Sequence, residues 1–211
     1  MKRLLIGFVA MIALVSATWA QTPEEILRKM DEAMSSAETR GLSMAMDMKV
    51  PILGTTTTMM YMLGDKTRTE TKILGHLLLT FSDGVSEYEY DTVKNELVIE
   101  DAAPGDEESE AEMFSDITDG YDVTLKKQTD DAWYFLCKKS KDNTDKDAPD
   151  KMDLVVSKVT NLPISLSTKV SGVKVTLRDV KIGVNPALVT FNPAEYPDAK
   201  VIDKRGQKKD N

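Results

Sequence analysis

The chain has 211 residues, of which 29% are charged, and a formal net charge of −8. The first twenty residues contain Lys2 and Arg3, so their removal would take the charge from −8 to −10 on about 190 residues, the size of one domain. Nucleic acid is excluded as an expected partner, because phosphate binding requires clustered Lys and Arg and residues 100–120 contain nine acids and no base.

Residues 1–20 have the pattern of a cleavable export signal. Lys2 and Arg3 precede an apolar run from Leu4 to Val15, and Thr18-Trp19-Ala20 provides a cleavage site with small residues. This run of twelve is shorter than the roughly 20 residues that a membrane-spanning helix requires. Gln21 occupies the position where a bacterial lipoprotein would carry cysteine. We therefore expect a soluble, exported protein without a lipid anchor.

A helix is predicted at the start of the mature chain. Thr22 can cap it, Pro23 suits its first position, and Glu25 is expected to complete the capping box. The apolar residues that follow recur at spacings of three and four: Ile26, Leu27, Met30, Ala33, Met34 and Ala37. Such a stripe indicates one face packed against an apolar surface.

Beyond Arg40 the apolar period changes from 3.6 to 2, which predicts roughly eleven strands. The predicted strands are 42–52, 55–63, 67–73, 77–81, 85–90, 97–99, 121–125, 133–137, 152–158, 164–170 and 173–177. Short turns such as Asp83-Gly84 and Ser171-Gly172 join many of them, so neighbouring strands are expected to be antiparallel.

A short inserted helix is predicted after the acidic segment, where Met113, Phe114 and Ile117 form a small apolar stripe. An antiparallel meander of this length must curl to bury its inner face. The sequence therefore predicts an α+β fold: a strongly curved antiparallel sheet whose concave apolar face is covered by the N-terminal helix and the inserted helix.

Methionine is concentrated in two consecutive predicted strands. The mature chain has ten methionines, and six of them lie within nineteen residues: Met44, Met46, Met48, Met59, Met60 and Met62. Methionine repacks easily around variable apolar partners. One interpretation is an ordinary core, and the other is a cavity for acyl chains. Both faces of the strand from Met59 to Met62 are apolar, so its inward side is left open.

Several segments resemble the LolA-like outer-membrane lipoprotein carriers of the periplasm. The segment "EEILRKMDEAMSSAETRGLSMAMDMKV" is similar to the opening helix and strand of that family, and "MLGDKTRTET" resembles a segment where members place an arginine, here Arg68. The segment "SDGVSEYEYDTVKNELVI" resembles the family's DG pattern followed by aromatic residues, and Phe191 with Pro193 resembles its F-x-P step. The resemblance covers nearly all of residues 21–205, with 206–211 as a polar tail.

The resemblance implies a half-barrel that carries lipoprotein acyl chains, or another lipid, across the periplasm. It also implies an inner-membrane lipoprotein-release transporter and an outer-membrane acceptor as partners. The expected cavity wall is Leu42, Met44, Met46, Met48, Val50, Met60, Met62, Tyr88 and Tyr90. The expected lid is Ile26, Leu27, Met30, Met34, Met113, Phe114 and Ile117. Leu63-Gly64 stands where the best-known carriers have arginine and proline, so the family's lid latch is not expected in the same form.

An enzyme is the first alternative, and the sequence does not favour it. His76 is the only histidine and Cys137 the only cysteine, and no nucleophile motif or metal-ligand spacing accompanies them. We expect no catalysis, no cofactor and no metal. The second alternative is a LolA-like lipid- or lipoprotein-binding sensor without a transport role, because related folds serve in envelope-stress signalling.

Overall fold

The computed structural model describes residues 21–50, 52, 54–73, 75–102 and 117–207. Within them it contains two α-helices, α1 (Pro23–Met34) and α2 (Ala37–Arg40), two short 3-10 helices, Pro186–Leu188 and Pro193–Glu195, and twelve strands. The strands are β1 Leu42–Val50, β2 Gly54–Leu63, β3 Lys66–Ile73, β4 His76–Ser82, β5 Ser86–Asp91, β6 Glu96–Asp101, β7 Tyr121–Gln128, β8 Ala132–Lys139, β9 Lys151–Ser157, β10 Pro163–Val170, β11 Val173–Ile182 and β12 Lys200–Asp203. None of the described helices has the length and hydropathy needed to cross a bilayer.

All twelve strands form one curved sheet that is not closed into a barrel. Their order is β12-β6-β5-β4-β3-β2-β1-β11-β10-β9-β8-β7, so β12 and β7 are the edges. Every pair is antiparallel except β12 with β6, which are parallel. The predicted α+β half-barrel is confirmed, while β12 was not among the predicted strands. The predicted inserted helix falls mostly on Met113 and Phe114, which lie outside the described residues.

Helix α1 begins where the sequence predicts. The Glu25 N–H donates to Thr22 Oγ1 at 3.2 Å, and Pro23 occupies the first turn. The Glu25 carboxylate pairs with Lys29 Nζ at 3.1 Å, one helical turn later. Ile26, Met30 and Met34 are buried, as expected for an amphipathic helix that packs one stripe on a sheet.

A bulge in β11 keeps its apolar residues on one side of the sheet. Between the pairs Ser43–Lys181 and Ala45–Arg178, β11 contains one more residue than β1. Asp179, at φ 58°, lies at this irregularity. Because side chains alternate along a strand, the extra residue changes the parity. Leu177 and Val180 therefore face the same side: Val180 belongs to the buried cluster with α1, and the half-buried Leu177 packs against that cluster.

The two faces of the sheet are apolar in different halves. The helix face, on which α1 lies, is apolar over β7–β11, β1 and β2, where the cluster includes Phe135, Leu154 and Leu166. On β3 the same face presents Thr67, Thr69 and Thr71. The opposite face is apolar over β4–β6, where Phe81 and Leu97 are buried. Residues 183–199 pack there, with Phe191 stacked on Tyr88 at 4.2 Å between ring centroids.

Candidate functional site

The methionines of β1 and β2 meet on the helix face. The register pairs Leu42 with Met62 and Met44 with Met60. Because residues paired across a ladder point to the same side, Met60 and Met62 share the face of Met44. Met59 and Tyr61 therefore point to the opposite face. The parity that the sequence left open is thus determined by the hairpin register.

Helix α1 adds methionines to the same interface. Met30 has no exposed surface, and Met34 and Ile26 are at most 5% exposed. They belong to one buried cluster with Leu42, Met44 and Met62. Met152 of β9 belongs to the same cluster, and Leu27, Met60 and Ile117 pack against it. The contact between helix and sheet is therefore rich in thioether side chains, which repack at little cost.

The apolar surface continues along β1 past this cluster. Met46, Met48 and Val50 are half-buried and stand outside the buried cluster. The register places Leu177 of β11 opposite Met46 and Val175 opposite Met48. These five half-buried side chains form a strip, called here the apolar strip, that leads from the buried cluster toward the end of β1. Val175 and Leu177 were not predicted as site residues, although their alternation in "VKVTL" was visible.

Tyr88 and Tyr90 do not join the methionines. The unbroken registers from β2 to β5 place both tyrosines on the opposite face. Tyr88 stacks on Phe191, and the ring centroids of Tyr90 and Tyr196 lie 4.5 Å apart. Their grouping with Met46 in one cavity wall is corrected here: the two tyrosines hold the segment 183–199 against the sheet.

Arg68 strengthens the attachment of that segment. Its Nη1 donates to the Leu188 carbonyl at 3.4 Å, its Nη2 pairs with Glu70 at 2.7 Å, and its guanidinium carbon lies 5.0 Å from the centre of the Phe81 ring. These contacts all lie on the opposite face. Arg68 is therefore positioned to hold the segment 183–199, away from α1.

The connection from α1 to β1 has one anchored part. The Gly183 N–H donates to the Gly41 carbonyl and the Val184 N–H to the Arg40 carbonyl, both at 2.9 Å. A Cβ on Gly41 would lie 2.6 Å from the Met62 carbonyl oxygen, so this position tolerates only glycine. The C-terminal end of α2 is thereby fixed to the sheet. Helix α1, which precedes α2, is connected to it through the turn at Ser35.

The charged groups near the site have structural roles. Asp47, on the opposite face of β1, accepts hydrogen bonds from Arg178 Nε at 2.7 Å and Thr57 Oγ1 at 2.7 Å. The Arg178 hydrogen bond lowers the pKa of Asp47.

Burial raises the pKa of the Cys137 thiol to about 11, which leaves it neutral and a poor nucleophile. Within the described residues, no group of three or more His, Cys, Asp or Glu is arranged to hold a metal ion.

No protein-family model and no curated protein matches the chain. Solved structures do resemble it. An uncharacterised conserved protein from Thermus thermophilus is 17% identical at a TM-score of 0.47, with 87% of this chain and 99% of that chain covered. MucB of Pseudomonas aeruginosa, in its complex with MucA, is 11% identical at 0.43, with 84% and 62% covered. A LolA superfamily protein from Nitrosomonas europaea is 14% identical at 0.34, with 83% and 100% covered. The solved structures similar to this chain thus include a protein of the superfamily that the sequence resembles.

Proposed function

We propose that the protein is a periplasmic carrier that binds the acyl chains of lipoproteins, or of a similar amphiphile, on the helix face. One observation carries the proposal: a methionine-rich contact between α1 and the sheet continues into the half-buried apolar strip. A core that only had to be stable would be better specified by branched aliphatic side chains. Adaptable side chains suit a surface that packs against a helix in one state and against lipid in another.

Binding would begin at the apolar strip and extend as α1 is displaced. Met46, Met48 and Val50 already have part of their surface exposed, whereas Met44 becomes available only when Met30 and its neighbours move away. Each buried methylene contributes ~0.8 kcal/mol, so one long acyl chain gains on the order of 10 kcal/mol on leaving water. Part of that gain offsets the loss of the contacts between α1 and the sheet.

Competition between α1 and lipid gives the carrier a means of release. The gain on leaving water is too large for rapid escape of an acyl chain into solvent, so delivery requires either a docked acceptor or return of α1 to the sheet. The inner-membrane transporter and outer-membrane acceptor remain proposals that rest on the resemblance described from the sequence. The proposed lid comprises the apolar residues of α1 together with Met113, Phe114 and Ile117.

The proposal is tested by identifying what co-purifies with the protein after export to a bacterial periplasm. Mass spectrometry of the parent protein should detect lipoprotein or lipid, and Met46→Asp and Met48→Asp should lose it while remaining folded. Met59→Asp is the matched control, because Met59 is also half-buried but lies on the opposite face of the neighbouring strand. Retention of lipid by Met46→Asp and Met48→Asp at the parent level would contradict the proposal.

A second assay separates a carrier from a sensor. Protein loaded with a fluorescent lipid is mixed with acceptor vesicles, and transfer is followed by dequenching. A carrier should deliver its lipid in this assay. Lipid binding without transfer to vesicles or to a candidate acceptor protein would support the sensor alternative.

A further inference from the structure

Four hairpin tips at one end of the sheet carry exposed aliphatic side chains. The turns β1–β2, β3–β4, β5–β6 and β10–β11 lie at the same end, because their strands alternate in direction across the sheet. We call the exposed aliphatic side chains at these tips the aliphatic rim: Ile52, Ile73, Val93 and Val170. Neighbouring strands are about 4.8 Å apart, so adjacent tips are separated by roughly 10 Å.

Ile52 is the most exposed member of the rim, with a relative exposure of 105%. Its φ of 74° lies in the left-handed region, which a β-branched residue rarely adopts because of steric strain. Neither the conformation nor the exposure of this side chain stabilises the protein in water. An outlier of this kind suggests a role in contact with another surface.

Lysines line the same end of the sheet. The register places Lys49 of β1 opposite Lys174 of β11, and Lys174 opposite Lys169 of β10. We call these three exposed residues the lysine row. Like charges placed directly opposite each other destabilise a sheet, and the row occurs in a protein whose net charge is −8. The lysine ion pairs among the described residues involve Lys29, Lys94, Lys200 and Lys204.

Further lysines extend the row on the neighbouring strands. Lys138 of β8 is opposite Lys151 of β9. Lys151 directly precedes Met152, which is opposite Thr168, so Lys151 lies beside the position of Lys169. Lysines therefore recur on β8, β9, β10, β11 and β1 next to the aliphatic rim. Asp122 of β7 lies opposite Lys138, and the β8–β9 connection at this end contains Asp142, Asp145, Asp147 and Asp150, so the positive charge is concentrated on β10, β11 and β1.

We propose that this end of the sheet docks on a bilayer that contains anionic lipids. The lysine row would contact the head-group phosphates, and Ile52 with Val170 would enter the interface below them. Separate protruding tips suit a fluid surface better than a single protein pocket, and lysine side chains are long enough to follow mobile phosphates. Docking requires no movement of α1, so it is independent of the proposed acyl-chain binding and can be tested separately from it.

The test is co-sedimentation of the purified protein with vesicles of phosphatidylcholine alone, and of phosphatidylcholine with phosphatidylglycerol. The parent protein should bind the anionic vesicles more tightly, and added salt should weaken that binding. Replacement of all three residues of the lysine row by Gln should weaken it on the order of 100-fold, at about fivefold per lysine. The control triple variant removes the same charge from exposed lysines at the other end: Lys126→Gln, Lys127→Gln and Lys181→Gln.

The aliphatic rim has its own matched pair of variants. Ile52→Ser should weaken binding to anionic vesicles about tenfold, because burial of an isoleucine side chain in the interface is lost. Val159→Ser removes a similarly exposed aliphatic side chain from a hairpin tip at the opposite end and should have no effect. Circular dichroism verifies that each variant is folded.

Three results would overturn the inference. The parent protein could bind both kinds of vesicle equally or neither of them. The control triple variant could lose as much binding as the lysine-row variant, which would assign the effect to net charge alone. The row could instead bind an acidic protein while vesicles are ignored, which would assign this end to a protein partner.

Discussion

Met30→Ala should destabilise the protein and strengthen lipid binding at the same time. Met30 has no exposed surface and belongs to the cluster that joins α1 to the sheet. Replacement of a buried methionine by alanine costs about 2 to 5 kcal/mol of unfolding free energy, because transfer energy is lost and a cavity remains. Alanine has the highest helix propensity, so α1 itself should persist.

The same loss weakens the closed arrangement against which lipid competes. If the variant loses about 3 kcal/mol and all of it is lost from the contact between α1 and the sheet, apparent lipid affinity can rise up to about 100-fold. The increase is limited by how strongly the closed arrangement is favoured in the parent protein. A tighter lipid complex in a less stable protein is the opposite of what loss of a lipid contact would produce.

The measurement combines urea unfolding with titration of a fluorescent fatty acid. Leu79→Ala is the matched control, because Leu79 is buried on the opposite face and its truncation has a similar cost. Leu79→Ala should lower stability without changing lipid affinity. Unchanged or weaker lipid binding by Met30→Ala would refute competition between α1 and lipid for one surface.

Three further predictions concern the scaffold. Gly41→Ala should cost several times more unfolding free energy in urea than Gly172→Ala, because a Cβ at Gly41 meets a strand carbonyl oxygen whereas Gly172 has open space. Cys137 should resist a thiol reagent at pH 8 in the folded protein and react after unfolding, since burial raises its pKa to about 11. Asp47 has its pKa lowered by the Arg178 hydrogen bond from the ordinary value of 3.8, so its contribution to stability is present above that value and is lost as the pH falls below it. Asp47→Asn should therefore reduce the dependence of urea-unfolding stability on pH in this acidic range.

Local periodicity was sufficient to predict most elements of the fold. Thr22 and Pro23 mark the start of α1, and strict alternation from Leu42 to Val50 marks β1, because both signals depend only on neighbouring residues. Strand β12 was missed for the opposite reason. It has four residues, and its partner β6 lies about a hundred positions earlier, so its own sequence is too short to indicate a strand.

The side on which the site residues lie could be predicted for α1 and β1 but not for β2 and β5. Alternation assigns Met44, Met46 and Met48 to one face without further information. The run "MMYML" is apolar on both sides, and only its pairing with β1 places Met60 on the helix face. Tyr88 was assigned to the wrong face because its side depends on three intervening registers and on contact with the distant Phe191.

The parallel pairing of β12 has a consequence for how the protein is made. Lys200–Asp203 complete one margin of the sheet, yet during export they reach the folding compartment about a hundred residues after β6, the strand that they cover. Until they emerge, one row of β6 backbone groups is unpaired, and such a row can recruit strands from other chains. A premature stop codon before residue 200 should therefore produce aggregates rather than a slightly shortened protein.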